Sequence, residues 1–106
     1  MNYTKVKFEI YVPLTHVDKL REAINNTGAL TIGKYDNCIS VTELTGYFRP
    51  LKQSQPYSGK EDELSMEKEA KIEFRCHKDL AIEVINVIKA IHPYEEPVYD
   101  IMPIIN

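Results

Sequence analysis

From Val6 to Val12 the chain alternates between apolar and polar positions. Val6, Phe8, Ile10 and Val12 share one face of an extended segment, and Lys7, Glu9 and Tyr11 share the other. Pro13 ends this strand. Thr15 then stands as an N-cap, with Asp18 three residues on near the positive end of a helix. Val17, Leu20, Ala23 and Ile24 recur at helical spacing and Gly28 is a natural stop, so a helix is expected over 15–27.

Residues 29–35 and 38–44 are rich in strand-forming side chains and flank a polar Asp36–Asn37 break, which predicts two extended segments. Gly46 to Pro50 continues or bends the second of them. The polar stretch 51–66, with Pro56 and Gly59, reads as a long loop. The pattern then starts again. Residues 69–76 alternate, with Ala70, Ile72, Phe74 and Cys76 on one side, and Asp79 can cap a helix with apolar positions Leu80, Val84, Ile85, Val87, Ile88 and Ile91. After HPYEEP, residues 98–105 close as a strand.

The stretches FEIYVPLTHVDKL and IEFRCHKDLAIEV are thus two versions of strand, short polar turn and amphipathic helix. Two such units joined by a hairpin predict an α+β fold of order βαββαβ, a ferredoxin-like sandwich. Right-handed crossovers put both helices on one face of an antiparallel sheet. The other face, carrying Tyr11, Tyr35 and apolar residues of the last strand, is then expected to be covered by another subunit rather than by a cofactor.

Length and charge narrow the class. At 106 residues the chain has the size of a single domain, 1–106. A net charge of −3 without a basic cluster argues against nucleic acid and anionic membranes as partners. No apolar run approaches the ~20 residues that span a bilayer. The alternating start MNYTKVKFEIYVP is not a signal-peptide pattern, and Cys38 and Cys76 fit reduced thiols, so a cytoplasmic location is expected.

The densest chemistry lies in HPYEEP. Pro93 stops the second helix and steers His92 away from helical backbone, Pro97 stiffens the approach to the last strand, and Tyr94 can lie over the core edge. Pro93, Tyr94 and Pro97 therefore define a structural corner. The competing reading is a divalent-metal site made by His92 with Glu95 and Glu96, completed by ligands from a neighbouring subunit. Successive residues of an extended chain point to opposite sides, which makes chelation by one hexapeptide awkward. A third reading pairs His92 with a glutamate as acid and base between subunits.

The ordered motifs IGKYDNCISV, TGYFRP and HPYEEPVYDI resemble the small domain inserted in many bacterial members of the NGG-interacting-factor-three-like family. Further matches are Val12-Pro13, the Pro56 to Gly59 step and the run from Gly28 to Cys38, although Leu30-Thr31 stands where that family often has another small residue. The resemblance covers nearly the whole chain. It implies a standalone copy of the insert, without the flanking domain that supplies the family's dinuclear-metal ligands, so hydrolase activity is not carried over. It also implies similarity in fold to the CutA divalent-cation-tolerance proteins and the nitrogen-regulatory PII proteins, which are trimers. By analogy with the clefts between PII subunits, Tyr35, Cys38, Gly46, Phe48 and Arg49 beside the long loop form a second candidate site. The expectation is a non-enzymatic, homo-oligomeric and trimeric binding or regulatory module, with a divalent metal ion or small ligand between subunits. The alternatives are a CutA-like metal-tolerance protein and a small hydrolase with an intersubunit site.

Overall fold

The computed structural model describes residues 2–105. Strand β1 (Lys5–Pro13) is followed by helix α1 (Val17–Asn25), strands β2 (Ser40–Phe48) and β3 (Ser65–His77), helix α2 (Ala81–Ile91) and strand β4 (Val98–Ile104). All pairings are antiparallel, in the order β2-β3-β1-β4, which is the ferredoxin-like arrangement.

Alternation explains the layers. Val6, Phe8, Ile10 and Val12 of β1 and Ala70, Ile72, Phe74 and Cys76 of β3 are all buried on one face, together with Leu20, Ile24, Val84 and Ile88 of the helices. In the register of the two central strands Phe8 stands opposite Phe74, and their rings stack at 5.1 Å. Pro103 lies within β4, where an edge strand tolerates its missing donor.

Three local expectations are corrected. Residues 29–35 do not form a strand. Ala29 and Leu30 are buried in the core, and the chain then folds back through a bridge in which the Ile32 and Tyr35 backbones bond each other at 2.8 and 3.0 Å. Gly33, with φ +59°, allows that tight return. Arg21 and Asn25 of α1 both bond Asn37, which fixes the segment against the helix instead of the sheet. Second, neither Thr15 nor Asp79 caps an α-helix. Each helix is preceded by one 3₁₀ turn, Leu14–His16 or Lys78–Leu80, and the second turn is capped by the His77 ring, which accepts from the Asp79 amide at 3.2 Å. The repeat seen in the sequence is thus kept even in its turns.

The third correction concerns the helix-free face of the sheet. Its centre is charged, not apolar: Lys7 meets Glu73 at 2.9 Å and Glu9 at 3.5 Å, and Lys71 reaches Glu73 at 3.9 Å. The Lys7 ammonium beside Glu73 holds that carboxyl below its usual range, and Glu73 in turn raises Lys7. Tyr35 is not on the sheet at all. Exposed apolar side chains gather instead on the end of the β2–β3 hairpin, which runs on past β1. There Tyr47 pairs with Met66, and both are exposed, as is Leu64.

Candidate functional site

Both crossovers deliver the candidate segments to the same end of the sheet. α1 leaves β1 at that end, β2 runs toward it, and α2 returns to it, releasing the chain at His92. The loop 49–64 starts there after Phe48. Between this loop, the sheet end and the corner lies a cleft of about 580 Å³, lined among others by Phe48, Arg49, Tyr57, Glu69, Tyr94 and Glu95.

The corner is built on His92. Its ring is 7% exposed and burial holds its pKa below the ordinary histidine value, against the opposing pull of the Tyr11 carbonyl. The Tyr94 amide donates to His92 Nδ1 at 3.1 Å, which places the ring proton on Nε2, where it is donated to the Tyr11 carbonyl. Nε2 therefore ties the end of α2 to β1, and Nδ1 holds the corner itself. His92 could ligate a metal only by giving up one of these bonds. Glu95 is turned elsewhere, its Oε1 accepting from the Gln55 amide at 2.9 Å. The expected metal group of His92, Glu95 and Glu96 is thus not assembled, and among the described residues no three His, Cys, Asp or Glu side chains are grouped to hold an ion.

Tyr94 forms the back of the cleft. Its hydroxyl donates to Glu69 Oε2 at 2.7 Å, and burial, reinforced by that carboxylate, pushes its pKa well up. Gly46 makes room for Glu69: a Cβ there would collide with the carboxylate. The loop is fastened at three points, by Asp62 N to the Pro50 carbonyl at 2.6 Å, by Ser58 Oγ to Glu67 Oε2 at 2.8 Å, and by the Gln55–Glu95 bond. Tyr57 leans over the opening, edge-on to His16 at 5.5 Å and 6.1 Å from the Tyr94 ring.

The structure therefore merges part of each expected site. Phe48 and Arg49 join Tyr94, Glu95 and Glu96 in one cleft, and Gly46 supports it from the strand. Tyr35 and Cys38 do not belong. They precede Ser40, and the eight-residue step from Ser40 to Phe48 spans ~26 Å of strand. Cys38 is half-buried with its thiol near the Asp36 carbonyl, and Cys76 is buried in the core, where desolvation raises its pKa. The sequence places Tyr11 only on the open sheet face, and it does not point to Tyr57 or Glu69 at all. A glycine inside a strand was the available signal for Glu69, since it marks a close approach on the neighbouring strand.

Replacing Tyr94 with phenylalanine is expected to cost about 1 kcal/mol, the usual worth of one side-chain hydrogen bond. Folding holds the Tyr94 proton more tightly than the unfolded chain does, so this contribution is intact below about pH 10 and is lost as pH rises above it. Urea unfolding at pH 8 and pH 10.5 should show a smaller alkaline loss in the variant; parallel losses would place the effect elsewhere.

Comparison with known proteins supports the segment-level resemblance. No family model matches the chain. A GTP cyclohydrolase 1 type 2 homolog from Halalkalibacterium halodurans is 38% identical over 100 residues, covering 94% of this chain and 27% of that protein. A solved Bacillus cereus protein related to NIF3 superposes with a TM-score of 0.82 at 33% identity, over 98% of this chain and 26% of that one. The chain thus spans about a quarter of the length of the relatives it matches, and it is homologous to that segment of them. The divalent ion tolerance protein CutA1 of Ehrlichia chaffeensis shares the fold, with a TM-score of 0.70 and 18% identity over 100% of this chain and 86% of its own.

Proposed function

We propose that the chain is a non-enzymatic, cytoplasmic binding and assembly module. It holds a small ligand in the cleft between the loop 49–64 and the His92–Pro97 corner, and it acts as a homo-oligomer, a trimer by the resemblance to CutA and PII proteins. The carrying observation is the cleft itself. Segments some forty residues apart converge on it and are bonded to each other through Gln55 and Glu95. Its volume falls in the range of small-molecule sites, and its walls are aromatic with a few placed polar groups. The one histidine of the corner has both nitrogens committed to backbone, so it does not stand free as an activating base.

Support for assembly comes from the hairpin end. β2 leaves one edge unpaired, and Tyr47, Leu64 and Met66 are exposed beside it. That combination favours contact through the hairpin rather than through the charged face of the sheet.

Two measurements test the two halves. Light scattering on the purified chain should give three times the 12.3 kDa of one copy; a stable monomer overturns the assembly half. For the cleft, the neutral probe 3,3-dimethyl-1-butanol should shift the amide NMR signals of Phe48, Arg49, Tyr57 and Tyr94. Shifts confined to other regions, or none, both with this probe and with a charged probe of the same shape, overturn the binding half.

A further inference from the structure

We infer that the cleft takes a small organic cation, an ammonium group carried on an apolar body; this rests on the reading of the cleft as a binding site. The acidic side chains that line it are Glu69, Glu95 and Glu96, against the single basic side chain Arg49. Arg49 is exposed, whereas Glu69 is half-buried, so the carboxylate that lies deepest is less screened than the guanidinium. An anionic ligand would meet three like charges for one opposite charge. A cation meets the reverse.

The walls fit the same ligand. Tyr11, Tyr47, Tyr57 and Tyr94 all contribute to the lining. The Tyr57 and Tyr94 rings are 6.1 Å apart and inclined at 51°, an open angle rather than a closed stack. The Glu69 carboxylate is bonded to the Tyr94 hydroxyl, so negative charge is fixed beside that ring. Aromatic faces attract a cation lying within about 6 Å of the ring centre, and the attraction grows as water is excluded. A bare divalent ion needs grouped oxygen or nitrogen ligands, which the described residues do not supply. An ammonium with attached methyl or methylene groups instead uses the ring faces and the apolar floor of Phe48 and Val98 together.

The distinguishing experiment compares choline with 3,3-dimethyl-1-butanol, which has nearly the same shape and no charge, by NMR titration of the purified chain. Choline should bind at the cleft about tenfold more tightly than the neutral probe, and added salt should weaken choline alone. Glu69→Gln, which keeps an acceptor for Tyr94, should weaken choline about fivefold and leave the alcohol unchanged. Should that variant fail to fold, Glu96→Gln removes another carboxylate of the cleft at an exposed position and should weaken choline by a smaller factor. Equal affinity of the two probes at the cleft would overturn the cationic ligand and leave the binding site standing. Absence of both from the cleft would remove the site and the inference together.

Discussion

Replacing His92 with alanine should destabilise the fold by about 3 kcal/mol and should also flatten its stability in mild acid. The first effect follows from what the ring does. Its Nε2–H satisfies the Tyr11 carbonyl and its Nδ1 satisfies the Tyr94 amide, at a position only 7% exposed. Removing it strands two backbone groups, at about 1–3 kcal/mol for each one that water cannot reach, and opens space beside the Tyr94 ring, whose centroid is 4.8 Å away. The second effect follows from burial. The folded chain binds a proton at His92 more weakly than the unfolded chain, because charging the ring means desolvating a cation. Stability tied to this group is therefore complete above the ordinary histidine value of about 6.5 and falls as pH drops below it. Urea midpoints at pH 7.5 and pH 5.5 should separate in the parent protein and draw together in His92→Ala. Equal separation in both would mean that His92 is not the buried neutral ring described above. A metal-ligating His92 would give a third pattern, in which zinc stabilises the parent and not the variant.

The role of His92 shows where sequence reasoning stopped. The helix end was legible, because Pro93 forbids continuation whatever surrounds it. The ring's partner was not, because Tyr11 lies on β1, 81 residues earlier in the chain, and only the return of α2 to that end of the sheet brings them together. Strands β1 and β3 were legible for a different reason: β1 buries one face from Val6 to Val12 and β3 does so from Ala70 to Cys76, and a period of two survives any detail of packing. The 29–35 segment is not a strand because only Ala29 and Leu30 are buried and the rest forms an exposed turn with too few residues left to pair. The charged centre of the open sheet face could have been read from Lys7, Glu9, Lys71 and Glu73, which all alternate outward. Their mutual pairing, however, depends on the register of β1 against β3. As for the cleft, Phe48 and Arg49 were found by their place beside the loop, and Tyr35 and Cys38 were grouped with them by nearness in sequence. An extended strand separates what the sequence sets side by side.

Phe8→Ala is expected to have the largest effect on stability, about 4 kcal/mol, out of the 5–15 kcal/mol typical of a folded domain. Phe8 is fully buried on β1, an inner strand of the sheet, and its ring stacks on Phe74 at 5.1 Å with only 9° between the planes. Its register partners are Phe74 on one side and Ile101 on the other, so one truncation loosens contacts to both neighbouring strands. Phe8→Leu keeps most of the volume and should cost roughly half as much or less. Tyr35→Ala, at a residue 76% exposed on the Ile32–Tyr35 turn, should stay within about 0.5 kcal/mol. The contrast bears on function as well. β1 carries Tyr11 to the cleft, and its Pro13 is paired with Glu69, so the same strand that centres the core also sets the cleft floor. Phe8→Ala should therefore weaken probe binding only in step with the fraction unfolded, whereas Glu69→Gln should weaken choline binding in a chain that remains folded. Binding titrations run beside urea melts on the two variants separate these cases. A Phe8→Ala chain that melts like the parent would show that the Phe8–Phe74 stack is not central to the core.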